Sequence, residues 1–132
     1  GTNDLIQYTI AADRTNETLE DILSHYQPSV LRMLKLITTQ VPEDTYVTIC
    51  GEMANDINCL PLFIGMGIRE LSMNYYSIPR IKGVIHDLSY RDCNIILNQC
   101  LELTSPKEIK HKLINLIKKE MSSNNRIINY EI

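Results

Sequence analysis

Two short runs of apolar and β-branched residues place the strongest limit on how this chain can fold. Residues 46–50 and residues 70–73 each predict a strand, and the largely apolar stretch at 57–66 between them predicts a helix packed on several sides. Pro61 lies inside that stretch and is expected to kink or shorten the helix. Two strands joined through a helix are expected to be adjacent and parallel, with a right-handed crossover.

The region before the first strand predicts a short helix and a long loop. The helix is expected to run through Ala11, with Asn3 or Asp4 as its cap. Residues 13–29 are largely polar and indicate a loop with a weak helical turn near its middle. Loops of this length in compact domains are usually functional.

Apolar periodicity and capping residues predict the longer helices. A helix is expected to start at Pro28 or Ser29 and to stop at Pro42. After the second strand, one helix is predicted from about residue 77, and two more are predicted after Ser89 and Ser105. The inward residues expected in the helix before Pro42, spaced at i, i+3, i+4 and i+7, are Val30, Met33, Leu34, Ile37 and Val41.

Two strands make an incomplete sheet, because parallel strands occur almost only with both faces covered. The chain also opens at Gly1 without a start methionine. We therefore expect the chain to be part of a longer protein, with the other strands supplied by further chain or by a second copy. An exposed parallel edge promotes association, so a homo-oligomer is expected.

Composition excludes several classes of protein. A net charge of −3 and a pI near 5.6 give no general attraction to nucleic acid or to an anionic membrane, and no apolar run approaches 18 residues. The four cysteines form no C-x-x-C pair and have no histidine at zinc-finger spacing. They predict reduced thiols in a cytoplasmic protein, with Cys93 and Cys100 in the core, and no metal site. No role is assigned to the histidines, which are His25, His86 and His111.

Cys50 is the candidate for a functional thiol. Its thiol would lie at the carboxyl end of the first strand, which is where α/β folds place their functional groups. Gly51 follows at once and permits a backbone conformation that other residues resist, or the close approach of a ligand. The alternative is that Cys50 is one more small buried apolar residue, as most free cysteines are.

Several short motifs follow one another along the chain in the same order as in a known family. They are GTNDLIQYT at 1–9, ADR at 12–14, CGEMA at 50–54, and ELSM at 70–73 with SIPRIK at 77–82. Together they resemble phosphoenolpyruvate–protein phosphotransferase, enzyme I of the bacterial sugar phosphotransferase system, up to about Met121 and most weakly after Leu88. Phosphoenolpyruvate synthases and pyruvate phosphate dikinases share the first motif and the Cys-Gly pair but usually lack the others, and they are the alternative within the superfamily.

The resemblance implies an α/β fold, the C-terminal portion of a (β/α)₈ TIM barrel that binds phosphoenolpyruvate. The two predicted strands would be its seventh and eighth, followed by C-terminal helices, and residues 1–132 would all belong to this domain. The earlier barrel strands and the phosphohistidine domain would be absent, so the chain alone is expected to be inactive. The alternative from another class is a non-catalytic module for dimerisation or interaction.

The implied activity transfers the phosphoryl group of phosphoenolpyruvate to a histidine and on to the phosphocarrier protein of the sugar phosphotransferase system, releasing pyruvate. By resemblance, Asn3 contacts the substrate phosphate and Asp4 is a substrate-binding residue and a Mg²⁺ ligand. Arg14 would clamp phosphate or carboxylate through its planar guanidinium. Cys50 would be the general acid that protonates the methylene carbon of the enolate.

Two residues depart from the family pattern. Thr15 and Asn55 stand where the family commonly has glycine. Both lie in predicted loops beside the proposed site, so the backbone of those loops is expected to differ from the family's.

Overall fold

The computed structural model describes residues 1–13, 15, 19 and 22–123. These residues form helices and one small two-stranded sheet, and a 3₁₀ turn at Ile57–Cys59 precedes the fourth helix. The elements in chain order are α1 (Thr2–Ile10), α2 (Pro28–Gln40), β1 (Thr48–Ile49), α3 (Glu52–Asn55), α4 (Leu60–Gly65), β2 (Glu70–Leu71), α5 (Ile78–Asp87), α6 (Tyr90–Glu102) and α7 (Pro106–Ser123). The chain is therefore mostly helical, with an α/β element order in its centre.

The two strands are adjacent and parallel, which confirms the prediction. Thr48 pairs with Glu70 and Ile49 pairs with Leu71, and the ladder extends to the Ser72 N–H, which donates to the Ile49 carbonyl oxygen at 2.7 Å. Each strand is two residues long, shorter than the predicted 46–50 and 70–73. Among the described residues each strand pairs with a neighbour on one side only. The residues at the ends of the two predicted strands therefore have no further strand with which to form hydrogen bonds. Tyr46, for example, is 77% exposed.

Pro61 lies in the first turn of α4 and starts that helix instead of kinking it. The predicted helix at 57–66 is consequently divided into the 3₁₀ turn and α4. Asp56 caps the 3₁₀ turn, since its side chain accepts a hydrogen bond from the Asn58 N–H. The expectation of burial on several sides is confirmed, because Leu60, Leu62 and Phe63 are at most 1% exposed.

The core lies where α4 packs against α6. Gly65 of α4 permits this contact, because a Cβ atom there would lie 2.7 Å from the carbonyl oxygen of Cys93 and 3.0 Å from the Cβ of Leu97. Cys93 and Cys100 are fully buried on α6, as predicted. The inward face of α7 closes the core with Ile109, Leu113 and Ile117, all of them fully buried.

Two details of the first helices differ from the predictions. Helix α1 has Gly1 at its N-cap, so Asn3 and Asp4 lie in the first turn and do not cap the helix. On α2 the buried residues include Leu31, which is fully buried, and not Met33, which is 37% exposed. The buried face is rotated toward Leu31 because α2 packs against both α1 and α6.

Within the described part of the chain, none of the helices has both the length and the apolar character needed to cross a membrane.

Candidate active site

The start of α1 lies directly against the turn that follows β1. Thr2 is 2% exposed, and its hydroxyl Oγ1 donates to the carbonyl oxygen of Cys50 at 2.5 Å, across 48 residues of sequence. Gly51 makes the contact possible. Its φ is +87°, and a Cβ atom there would lie 2.8 Å from Thr2 Oγ1 and 3.0 Å from Asn3 Oδ1. Residues of the first motif, at 1–9, therefore lie against the turn of the CGEMA motif, at 50–54.

Cys50 follows β1 immediately and is partly exposed. The other three cysteines are buried, and all four are free thiols. Cys50 is thus distinct from the buried cysteines of the core. Its carbonyl oxygen accepts the hydrogen bond from Thr2, so the backbone at residue 50 is held against α1.

Asn3 and Asp4 lie in the first turn of α1, next to Thr2. Asn3 is partly buried beside Gly51, and Asp4 is exposed. An exposed carboxylate at this position fits a Mg²⁺ site, because Mg²⁺ binds to proteins through one or two carboxylates and completes its shell with water and substrate oxygens.

Arg14 lies outside the described residues. Its neighbour Thr15 forms a local turn, in which its N–H and its hydroxyl both donate to Asp13 Oδ1, at 2.9 and 2.8 Å. The second departure from the family pattern also has a structural role. Asn55 is the last residue of α3, and its Nδ2 donates to the Gly51 carbonyl oxygen at 3.3 Å. Asn55 therefore closes the short helix back onto the turn that carries Cys50.

A second polar cluster surrounds Asp56, the residue after α3. Asp56 Oδ2 accepts hydrogen bonds from the Tyr26 hydroxyl and from His25, whose Nε2 is 2.6 Å away. Asp56 Oδ1 accepts the Asn58 N–H at 2.9 Å. Cys59 completes the cluster, since its sulfur lies within 4.8 Å of ligand atoms of both His25 and Asp56.

The groups of this cluster have strongly shifted pKa values. Burial acts to raise the pKa of Asp56, but the hydrogen bonds from His25, Tyr26 and the Asn58 N–H outweigh it and lower that pKa to about 2. Burial, followed by the nearby Cys59 and Asp56, raises the pKa of Tyr26. Burial and the charge of Asp56 raise the pKa of Cys59. Asp56 is thus a carboxylate beside a phenol and a thiol that keep their protons.

Sequence reasoning missed this cluster. It assigned no role to His25 and excluded a metal site on the cysteines, because no spacing motif connects them. His25 and Asp56 are 31 residues apart and meet only through the packing of the loop before α2 against the 3₁₀ turn. The single local signal was Asp56 two residues before Asn58, a capping pattern that carries no chemistry by itself.

Comparison with known proteins identifies the family of this chain. The family model described as PEP-utilising enzyme, PEP-binding domain, matches residues 1–90. The chain belongs to this family.

Curated relatives share one name. The phosphoenolpyruvate-protein phosphotransferase of Staphylococcus aureus is 37% identical over 119 residues, which are 89% of this chain and 21% of the relative. That of Mycoplasma genitalium is 35% identical over 121 residues, covering 91% and 21% of the two chains. That of Priestia megaterium is 39% identical over 110 residues, covering 83% and 19%. This chain spans about a fifth of the length of these relatives.

Proposed function

We propose that this chain is the C-terminal part of the phosphoenolpyruvate-binding barrel of a cytoplasmic phosphoenolpyruvate–protein phosphotransferase. The enzyme would move the phosphoryl group of phosphoenolpyruvate to a histidine and then to the phosphocarrier protein, with β1 and β2 as barrel strands seven and eight. The observation that carries the proposal is the contact of Thr2 and Asn3 with the turn at Gly51. It joins the two most distinctive motifs at the carboxyl end of a strand, where barrel enzymes place their chemistry.

Cys50 is assigned the proton transfer. When the phosphoryl group leaves phosphoenolpyruvate, the oxygen–phosphorus bond breaks and the enolate of pyruvate remains. The Cys50 S–H gives its proton to the methylene carbon of that enolate, which forms pyruvate, and the thiolate then regains a proton from water. A thiol suits this step because an S–H group can act as a general acid, and Cys50 is the partly exposed cysteine among the four.

The substrate-binding residues are assigned to the same face. Asn3 would donate to the phosphate, and Arg14 would bind phosphate or carboxylate oxygens in pairs. Asp4 would hold Mg²⁺ together with substrate oxygens. The ion, when bound, neutralises charge on the phosphate. The named relatives are all phosphotransferases, which favours this enzyme over the synthase or dikinase alternative.

A chimeric enzyme tests the proposed function. This chain would replace the matching 21% of the Staphylococcus aureus relative, and release of pyruvate from phosphoenolpyruvate would be measured with the phosphocarrier protein present. We expect turnover within about tenfold of the unmodified relative. The 132-residue chain assayed alone should release none, because a barrel site draws residues from several strands. A folded chimera without activity, or an active isolated chain, would contradict the proposal.

We also propose that the chain self-associates, because each strand offers an unpaired edge within the described residues. Light scattering at increasing concentration should give a mass above the 15.2 kDa of one chain. The same measurement on the chimera serves as the control, since its added strands cover those edges. A 15.2 kDa species at every concentration would refute self-association.

A further inference from the structure

We propose that His25, Asp56 and Cys59 bind one Zn²⁺ ion. A ring nitrogen, a carboxylate oxygen and a sulfur, one from each residue, all lie within 4.8 Å of one another. His25 comes from the loop before α2, whereas Asp56 and Cys59 stand at the two ends of the 3₁₀ turn. None of the three is assigned to the phosphoenolpyruvate site or to Mg²⁺, so this is a separate site.

The chemistry of the donors favours zinc. Zn²⁺ takes thiolate, imidazole and carboxylate ligands in one tetrahedral shell, whereas Mg²⁺ and Ca²⁺ require oxygen ligands. Tetrahedral bonds to zinc place neighbouring ligand atoms roughly 3.5 Å apart. The closest pair here, His25 Nε2 and Asp56 Oδ2, is 2.6 Å apart and must open by about 1 Å to reach that spacing. The His25 side chain is one quarter exposed and has room to move.

The balance of charge supports the same ion. The Asp56 carboxylate carries one negative charge, and a Cys59 thiolate would carry a second. A dication with these two ligands and a neutral imidazole gives a site without net charge, which limits the cost of burying it. Binding would release the Cys59 thiol proton to solvent and would require a neutral His25 ring that carries its proton on the nitrogen facing away from the ion.

The residues around the three ligands hold them in position. The Tyr26 hydroxyl and the Asn58 N–H both donate to Asp56 and orient its carboxylate, as partners of metal ligands commonly do. Asn58 itself is 8% exposed, and its Oδ1 atom is buried with no hydrogen-bond partner among the described residues. Asn58 lies on the same 3₁₀ turn that carries Asp56 and Cys59 at its two ends.

Zinc at this position would link two segments that are 31 residues apart in sequence. One is the loop that leads into α2, and the other is the turn between α3 and α4. The expected role of the ion is structural, because binding free energy at such a site adds to folding free energy. The site is proposed from this geometry alone and does not depend on the proposed phosphotransferase function.

Metal titration of the 132-residue chain tests the site. Competition with a chromogenic chelator should show one Zn²⁺ per chain, with a Kd of about 1 µM or lower. Co²⁺ in place of Zn²⁺ should produce a thiolate-to-cobalt charge-transfer band. His25→Gln and Cys59→Ala should each weaken Zn²⁺ binding by about 100-fold. In Cys59→Ala the cobalt band should also disappear.

Two control variants test whether a loss of Zn²⁺ binding is specific to the proposed ligands. His111→Gln changes an exposed histidine of α7, and Cys100→Ala changes a fully buried thiol of α6. Both should bind Zn²⁺ like the unmodified chain. Circular dichroism checks folding, and if Cys59→Ala does not fold, the loop variant His25→Gln, whose side chain is one quarter exposed, decides. Absence of saturable binding below about 10 µM, or binding that His25→Gln leaves unchanged, would overturn the proposal.

Discussion

Replacement of Cys50 by alanine should reduce the release of pyruvate by the chimeric enzyme about 10³-fold, the range expected for loss of a general acid. The enolate left by phosphoryl transfer would then depend on water for its proton. Binding of phosphoenolpyruvate should change little, because Thr2 holds the carbonyl of residue 50 and not its side chain. Steady-state kinetics should therefore show a loss in kcat with KM within about threefold of the parent.

The Cys100→Ala variant is the control for this experiment. It removes a thiol that is fully buried on α6 and has no assigned role in catalysis. Its rate should remain close to that of the chimera without this substitution. If Cys50→Ala retained more than about a tenth of the activity, water would be sufficient as the proton source and the role assigned to Cys50 would be wrong.

Gly51→Ala should lower the free energy of unfolding by about 2–4 kcal/mol, the sum of a backbone term and a packing term. The backbone term arises because φ of +87° with ψ of −170° is a conformation that only glycine adopts readily. The packing term arises because the new methyl group would meet Thr2 Oγ1 and Asn3 Oδ1 at 2.8 and 3.0 Å. Urea unfolding of the 132-residue chain measures the change.

Gly67→Ala isolates the backbone term. Gly67 also has a positive φ, +81°, but a Cβ atom there would meet nothing within 4 Å. Its substitution should cost about 1–2 kcal/mol from the backbone alone. The difference between the two variants then contains the contact between α1 and the Cys50 turn together with the extra backbone strain of Gly51, whose ψ is −170°. Equal losses for the two variants would mean that α1 does not pack against this turn in solution.

Local signals in the sequence were sufficient for much of the fold. The β-branched residues Thr48 and Ile49 marked the first strand, and its separation from the second by a helical stretch predicted the parallel pair correctly. Gly51 correctly marked a turn with special backbone geometry. The length of the strands was not predictable in this way, because Tyr46 has the residue type of a strand but no neighbouring strand among the described residues.

Only those residues of the candidate site that belong to a sequence motif could be predicted. Asn3 and Cys50 could be named from their motifs, but their proximity depends on the packing of α1 against α3, which no local pattern encodes. His25 and Cys59 lay beyond prediction for the same reason. A cluster assembled from a loop and a turn has no fixed spacing in sequence, and its residues differ in type, so neither periodicity nor a motif could reveal it.

Gly65 restricts how this domain can vary. At this residue the backbone of α4 contacts the backbone of α6, since the nearest atom to an added Cβ would be a carbonyl oxygen and not a side chain that could rotate away. A larger residue could be accommodated only by moving a whole helix. Because α4 lies between β1 and β2 in the chain, that movement would shift the second strand against the first. Position 65 is therefore a point of low mutational tolerance that lies outside the proposed active site and still controls how the two strands are held together.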